Sequence, residues 1–366
     1  MIIVTDCMYR SSIAVIHTLK ELKLDFTLVT VDTHPKPASF YSRFKKGCRV
    51  LPHKEEEYSE ALLNLCREFD RPVILPMGVF TLNILAKNRT EFEKISDFLV
   101  SSPEILDRLN DKKFSKALAE DCAIRVPKRF ANKEDVSFPL VVKPFCGEMF
   151  GLSARNRYKI VKTEKELEEA LELFSPYDSS PLIEEYVEGV GVGVSLVIGK
   201  DKKVCSAFCH KRLSEYPADG GPSTSLITFR DDSLIKSSAD MLIRAGFVGI
   251  AMIEYKEKDG KYYFLEINPR IWGSFGATFK AKSNFLQGYV NGAKNSKDEF
   301  SYEYVTEKKI KFMPNIAASV FSYFKKGMFK KGISVLGDLL NPFVPDAFFT
   351  FSDPFPAILD IFRKRR

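Results

Sequence analysis

The first part of the chain alternates short apolar runs with stretches of helical periodicity. Strands are predicted at Ile2–Thr5, Phe26–Val31 and Pro72–Pro76. Helices are predicted between and after them, at Ser11–Leu22, Glu60–Phe69 and Phe80–Lys87. Strands that alternate with helices in this way imply a parallel sheet covered on both faces.

The pattern changes after about residue 108, where strand-like runs are separated mostly by turns. The runs are Phe138–Lys143, Leu182–Gly189, Val194–Ile198, Val204–His210, Ile250–Tyr255 and Lys261–Ile267. Helices are expected at Leu109–Cys122, capped by Asn110 or Asp111, and at Thr163–Phe174, where Thr163 and Glu166 form a capping box. Two amphipathic helices, Ile316–Phe329 and Ala357–Phe362, are expected near the end.

Composition narrows the class of protein. The 366 residues are 45% apolar, enough for two or three packed units, and no apolar run is long enough for a membrane span. The start MIIVTD lacks the basic region of a signal peptide, and seven cysteines without a CxxC pair indicate reduced thiols in a cytoplasmic protein. The net charge of +7 is dispersed and comes with no nucleic-acid-binding motif, so we expect no nucleic-acid partner.

The hairpin at residues 249–275 carries the most informative polar residues. Glu266 and Asn268 are two apart in an extended run, so their side chains project from one face, and Glu254 lies on the partner run. Two carboxylates and an amide converging on one face require a cation, and oxygen ligands without His or Cys suit Mg²⁺. Arg270 follows at once and could bind a phosphate or carboxylate. A solvated hairpin face is the alternative, but the apolar neighbours of Glu266 disfavour it.

The register of this hairpin decides whether the site can exist. A two-residue Asp259-Gly260 turn alone would place Glu254 opposite Leu265, on the face away from Glu266. The metal hypothesis therefore requires a three-residue loop or a β-bulge.

The segment EINPR, with a glutamate one strand earlier, resembles the metal-binding core of the ATP-grasp superfamily. The string HKRLSEYP…GGPST, together with EINPRIWGS, resembles a subgroup of uncharacterised carboxylate–amine ligases, and the match extends over about residues 110 to 280. The resemblance implies a mixed α/β and α+β fold. A Rossmann-like domain would occupy residues 1–108 and an ATP-grasp domain 109–300, with a lid subdomain at about 125–187 and a helical extension at 301–366.

The resemblance also assigns nucleotide contacts. Lys112, which opposes the dipole of its helix, and Lys143, the single cation of an apolar strand, would hold the phosphates of ATP. Cys146–Gly151 would form the mobile lid. The adenine hinge would comprise Glu184, Glu185 and Val187, with Glu188 as a candidate ribose contact.

The expected reaction is ATP-dependent joining of a carboxylate to an amine, with Mg²⁺ or Mn²⁺. His210 and Arg212 share a strand face and, with Arg270, would stabilise an acyl phosphate. Two alternatives remain: a biotin carboxylase-like enzyme that activates bicarbonate, and a non-catalytic nucleotide-binding module. Against the first, Ile271-Trp272-Gly273 stands where that family has Val-Glu-His.

Other partners are less defined by the sequence. Homodimer formation and a peripheral membrane contact by the C-terminus, which ends in RKRR, are left open, with core-capping helices favoured over the membrane contact.

Overall fold

A computed structural model describes residues 1–131, 136–145, 157–218, 220–296 and 301–362. The strands are, in chain order, β1 Ile2–Val4, β2 Phe26–Val31, β3 Gly47–Leu51, β4 Val73–Leu75, β5 Leu140–Lys143, β6 Lys159–Val161, β7 Leu182–Glu185, β8 Val190–Ile198, β9 Val204–Glu215, β10 Ser223–Phe229, β11 Gly249–Lys258, β12 Lys261–Asn268 and β13 Lys309–Lys311. The α-helices are α1 Ser11–Glu21, α2 Glu55–Arg67, α3 Val79–Lys87, α4 Arg89–Ile95, α5 Pro103–Asn110, α6 Lys112–Asp121, α7 Glu164–Phe174, α8 Asp232–Arg244, α9 Gly276–Lys280, α10 Phe285–Ala293, α11 Asn315–Lys325, α12 Phe329–Leu340 and α13 Phe355–Phe362. The predicted lid segment Cys146–Gly151 lies outside the described residues.

The first strands form a parallel sheet in the order β3-β2-β1-β4, here called the N-terminal sheet. Strands β1, β2 and β4 are buried throughout, as expected for strands covered on both faces. The prediction of a parallel sheet is confirmed. The pattern did not reveal β3, since most of its side chains are at least partly exposed and it lies at the sheet edge.

A larger antiparallel sheet, here called the central sheet, has the strand order β12-β11-β8-β9-β10-β13. Helix α8 packs on one face, where Val194, Leu196 and Ile253 join its apolar side chains. Helix α10 packs on part of the other face, beside Phe208 and Met252. The remaining part of this second face carries polar side chains, and the candidate site lies there.

A small sheet in the order β6-β5-β7, covered by α7, has a separate apolar core. Helix α7 begins as predicted, because the Thr163 Oγ1 accepts a hydrogen bond from the Glu166 N–H at 3.2 Å. The Glu166 carboxylate in turn accepts a hydrogen bond from the N–H of Lys162 at 2.6 Å, whereas a standard capping box would use the N–H of Thr163.

Two predicted helices are each divided in the structure. The expected helix Leu109–Cys122 is interrupted at Asp111, whose carboxylate caps α6 by accepting from the N–H groups of Lys113 and Phe114. The expected helix Ile316–Phe329 ends at Lys325, and α12 begins after a turn in which Gly327 has φ +72°. Asp111 was one of the two predicted caps, and its capping role is confirmed. Helical periodicity continued through the break near Gly327, so the sequence pattern did not show that one.

The chain after residue 300 contains more than helices. Strand β13 pairs with β10 at the edge of the central sheet, and α11 and α12 pack against each other. Helix α13 contacts a short 3-10 helix, Ala38–Tyr41, beside the N-terminal sheet. Within the described residues, every helix is too short or too polar to span a bilayer.

The buried carboxylate of Asp353 links the C-terminal segment to the N-terminal sheet. It accepts hydrogen bonds from the Ser42 hydroxyl at 2.5 Å and the Arg43 N–H at 3.1 Å, and it lies 3.3 Å from His17 Nε2. Burial raises the pKa of Asp353, but the hydrogen bonds of His17, Ser42 and Arg43 outweigh it and hold the pKa below its usual range.

We expect Asp353→Asn to lower the free energy of unfolding by about 1–3 kcal/mol near neutral pH, because a charged hydrogen-bond acceptor is lost from a buried cluster. Because the pKa of Asp353 is lower in the folded than in the unfolded state, its carboxylate stabilises the fold at pH values above the unfolded pKa of about 3.9. This contribution to the free energy of unfolding is lost as the pH falls through the folded pKa. Urea unfolding should therefore show a steeper loss of stability below about pH 4 in the wild type than in the variant. Asp240→Asn, in an exposed ion pair with Lys236, is the control and should change stability by less than about 0.5 kcal/mol.

Candidate active site

The polar part of the central sheet is a row of residues paired across adjacent strands. Glu266 on β12 lies opposite Glu254 on β11, which lies opposite Gly193 on β8, and Gly193 lies opposite His210 on β9. Directly paired residues have side chains on the same face of a sheet. The predicted metal ligands Glu254 and Glu266 are therefore neighbours on one face.

A β-bulge produces this register. The Asp259-Gly260 turn has two residues, both with positive φ, and Lys258 is paired with Lys261 across it. Tyr255 still pairs with Phe264, but the next pair is Glu254 with Glu266, so Leu265 is the additional residue of the bulge. The metal hypothesis required either a three-residue loop or a β-bulge in this hairpin, and the structure contains the bulge.

Alternating glycines on β8 make room for two long side chains. A Cβ atom on Gly193 would lie 2.3 Å from His210 Cε1, and one on Gly191 would lie 2.7 Å from Arg212 Cδ. The side chains of His210 and Arg212 therefore lie across the backbone of β8, and Arg212 reaches Glu254 on the following strand. This role was not predicted from the sequence, although glycine at every second position of a strand indicates close approach by a neighbour.

The two carboxylates of the row each have a cationic partner. Arg212 donates to Glu254 Oε2 at 2.6 Å, and Asn268 Nδ2 donates to Glu254 Oε1 at 3.2 Å. Lys112 Nζ, at the start of α6, lies 3.3 Å from Glu266 Oε2. Burial raises the pKa of Glu266, but the charges of Lys112, Lys143 and Arg270 outweigh it and lower the pKa to about 2. Glu266 is thus an ionised carboxylate that can only accept.

A second buried charge cluster joins α6 to the small sheet. Glu184 on β7 lies 2.9 Å from Lys143 on β5 and 2.9 Å from Lys116 on α6. Lys116 is 0% exposed, and burial, assisted by the charge of Lys143, lowers its pKa to about 7 against the opposing effect of Glu184. The sequence analysis missed Lys116. It follows Lys112 by four residues, one helical turn, so both lysines lie on the same side of α6.

The predicted adenine hinge is an extended segment in which two backbone N–H groups are hydrogen-bonded to neighbouring segments. The Glu185 N–H donates to the Lys128 carbonyl at 2.9 Å, and the Tyr186 N–H donates to the Pro139 carbonyl at 3.1 Å. The Glu184 side chain is buried between its lysines, Val187 is buried, and Glu188 is exposed. The structure therefore brings Glu184 into the charge cluster, whereas hinge contacts remain a prediction for the backbone.

His210 and Arg212 differ in charge. His210 is 1% exposed, and burial together with the nearby Arg212 lowers its pKa to about 3, so the imidazole is neutral at neutral pH. Burial lowers the pKa of Arg212, but Glu254 and Glu215 outweigh it and raise the pKa above its usual range. Arg212 is therefore the cation of this pair.

Arg270 lies where β12 ends. Its N–H donates to the Asn268 carbonyl at 2.8 Å, and its guanidinium donates to the Ile271 carbonyl at 3.2 Å. It lines a small cavity between the N-terminal and central sheets with apolar side chains that include Leu82, Ile250 and Tyr289. Ile271 and Trp272 are buried in the core, where the Trp272 ring centroid is 5.1 Å from that of Phe275.

The candidate metal ligands of the row are all oxygen atoms. Among the described residues, no group of three or more His, Cys, Asp and Glu side chains has the arrangement of a metal site. Two carboxylates and one amide are fewer ligands than a full protein cage, but Mg²⁺ is usually held by one or two carboxylates together with water and substrate phosphates. The residues present fit such an ion.

Residues 109–274 match the family model for the ATP-grasp domain. This match confirms the resemblance of that segment to the ATP-grasp superfamily.

The relatives of the chain include ligases. It is 29% identical over 189 residues to a D-alanine–D-alanine ligase of Aquifex aeolicus, covering 47% of this chain and 61% of the relative. This chain thus spans less than two thirds of the length of that relative.

Solved structures show the same fold. An L-amino acid ligase from Bacillus licheniformis has a TM-score of 0.61 and 18% identity, over 86% of this chain and 79% of that one. A biotin carboxylase–β,γ-ATP complex from Campylobacter jejuni has a TM-score of 0.64 and 15% identity, over 83% and 73%.

Gly193→Ala should destabilise the protein by about 1–3 kcal/mol, because the added methyl group overlaps the His210 ring. Urea unfolding measures the change. Gly337→Ala is the control: its Cβ meets nothing within 4 Å, so this helical position should gain about 0.5–1 kcal/mol. Adding His210→Ala should make the double variant less destabilised than the sum of the two single changes. Strictly additive effects would contradict the proposed overlap.

Lys116→Met should remove a pH dependence of stability. With a folded pKa of about 7 and an unfolded pKa of about 10.4, the unfolded chain binds the extra proton between these values, so wild-type stability rises with pH there. The free energy of unfolding of wild type relative to Lys116→Met should rise between pH 7 and 10 by up to about 1.4 kcal/mol per unit. Lys113→Met, on the same helix with a 43% exposed side chain, should parallel the wild type. Parallel curves for Lys116→Met would rule out the buried-lysine assignment.

Proposed function

We propose that this protein is an ATP-dependent, ADP-forming ligase that joins a carboxylate to an amine. The observation that carries the proposal is the convergence of two charge sets at one sheet face. Glu254, Glu266 and Asn268 supply oxygen ligands, while Lys112 and Arg212 reach them from α6 and β9. Similarity to D-alanine–D-alanine ligase and L-amino acid ligase supports the reaction class.

The carboxylates of the row would hold Mg²⁺, or Mn²⁺ in its place, on the phosphates of the nucleotide. The metal would neutralise charge that develops on the transferred phosphoryl group. Glu266 suits this role because its low pKa keeps it ionised throughout the physiological pH range. Lys112 and Lys143 would hold phosphate oxygens. Lys112 now faces Glu266, which a bound metal would compensate, and Lys143 faces Glu184, which would keep its ion pair with Lys116.

The reaction has two displacement steps. A substrate carboxylate oxygen attacks the γ-phosphorus of ATP, and the bond to the bridging oxygen breaks to release ADP. The amine nitrogen then attacks the carbonyl carbon of the acyl phosphate, loses a proton and expels phosphate. Arg270 and Arg212 would bind the acyl phosphate through their guanidinium groups, because these remain charged. The neutral, buried His210 would contribute packing and orientation of Arg212 rather than charge.

The segment at residues 182–188 would bind adenine. Its backbone is fixed by hydrogen bonds to Lys128 and Pro139, which preorganises the main-chain groups that would meet the base. Glu184, Glu185 and Val187 form this hinge in the proposal, and the exposed Glu188 is the ribose candidate.

A bicarbonate-activating reaction is the second candidate, because biotin carboxylases share the fold. Ile271 and Trp272 argue against it, since they follow Arg270 in the chain and are buried in the apolar core instead of supplying polar groups. A non-catalytic nucleotide-binding module would not require the paired carboxylates of the row. In this proposal the substrates are small molecules, the protein has no nucleic-acid partner and its location is cytoplasmic. Homodimer formation is compatible with the proposal.

Glu266→Gln should reduce turnover by roughly 100-fold or more, because it weakens the hold on the metal that neutralises phosphoryl charge. Turnover is measured as ADP release in the presence of pooled carboxylates and amines. The melting temperature without ligand should be maintained, and Mg·ATP, unlike NADH, should raise that of the wild type by mass action. Glu257→Gln is the control, because Glu257 lies on β11 paired with Lys211 at 2.6 Å. An unchanged ADP-release rate in Glu266→Gln at limiting Mg²⁺ would refute the metal role.

A further inference from the structure

Helices α11 and α12 with the turn between them form a helical pair, here called the C-terminal hairpin. Its inner side is packed: Val320, Tyr323 and Val335 belong to one buried cluster. The Tyr323 hydroxyl accepts a hydrogen bond from the Glu215 N–H at 3.1 Å, which fixes α11 to the end of β9. The hairpin is therefore a rigid projection from the central sheet rather than a loose tail.

The outer side of α12 carries a stripe of large apolar residues. Phe329, Ile333 and Leu340 are spaced by four and seven residues, so they lie within one narrow sector of the helix. Their exposed fractions are 61%, 63% and 72%. The buried positions of α12 include Gly332 and Val335, so the helix has a separate packed side. Of the stripe, Phe329 also contacts α11 at one edge, with its ring centroid 6.1 Å from that of Phe324, while most of its surface stays exposed.

The turn of the hairpin combines apolar and cationic residues. Its sequence, KKGMFKK, places Met328 and Phe329 between the pairs Lys325-Lys326 and Lys330-Lys331, and the whole turn is exposed. Residues 308–345 contain seven lysines and a single acid, Asp338, which is buried and paired with Lys309 at 2.9 Å. The exposed charge of this part of the chain is thus entirely positive.

We propose that the C-terminal hairpin binds the surface of an anionic lipid bilayer. Met328, Phe329 and Ile333 would enter the headgroup region, and the four lysines of the turn would meet lipid phosphates. Apolar side chains flanked by lysines match both components of such a surface, the acyl boundary and the negative headgroups. A second copy of the chain fits poorly, because a two-fold contact of this patch would bring two lysine-rich surfaces together.

Vesicle cosedimentation with the full chain tests the proposal. The wild type should bind vesicles that contain phosphatidylglycerol much more tightly than vesicles of phosphatidylcholine alone, and added salt should weaken the binding. Replacing Lys325, Lys326, Lys330 and Lys331 by Gln should lower the affinity roughly 100-fold or more, because each lysine near an anionic surface contributes a factor of about five. Phe329→Ser combined with Ile333→Ser should lower it by about tenfold or more.

Matched controls separate the hairpin from general exposed apolar surface. Phe351 is 94% exposed and lies outside the hairpin, so Phe351→Ser should leave vesicle binding unchanged. All variants should keep the wild-type melting temperature, because the substituted side chains are at the surface. Equal binding of wild type and hairpin variants, or no preference for anionic vesicles, would overturn the proposal. So would a wild-type dimer that the Phe329/Ile333 variant dissociates while vesicles bind neither protein.

Discussion

The structure of the candidate site depends on the compensation of two neighbouring carboxylates. Glu254 and Glu266 face each other on adjacent strands, where like charges repel unless cations lie between or beside them. Arg212 and Lys112 provide that compensation within the protein, at 2.6 and 3.3 Å. In the proposed function Lys112 would bind the phosphates of the nucleotide and Arg212 the acyl phosphate. A bound metal would then replace these two cations as the partner of the carboxylates.

Several features of the fold follow from this compensation. The bulge at Leu265 brings Glu254 into line with Glu266, and Gly191 leaves the space through which Arg212 reaches Glu254. Asp111 begins α6 so that Lys112 stands in its first turn, beside Glu266. The second cluster, in which Glu184 is shared by Lys116 and Lys143, connects that helix to the small sheet. Helix α6 thus links the two parts that would enclose a nucleotide.

Much of this arrangement could be predicted from local patterns. Strand β2 was predicted with its observed bounds, and Glu266 and Asn268 stood out because polar residues at a period of two interrupt a buried strand. The bulge could not be deduced, because Asp259-Gly260 suits a two-residue turn and the extra residue lies farther along the strand. The pairing of Lys116 with Glu184 joins residues 68 positions apart, and only the tertiary fold brings them together. The cap at Asp111 was among the predicted ones, whereas the break at Gly327 was hidden because apolar periodicity continues through it.

In the proposed function, the face formed by Glu254, Glu266 and Asn268 binds a metal together with ATP. Calorimetric titration of the apoprotein with ATP, with Mg²⁺ and then with excess chelator, tests it most directly. Mg²⁺ should strengthen ATP binding by about tenfold or more in the wild type, and this gain should be largely lost in Glu254→Gln. Equal affinity for ATP with and without Mg²⁺, or a full Mg²⁺ effect in Glu254→Gln, would contradict it.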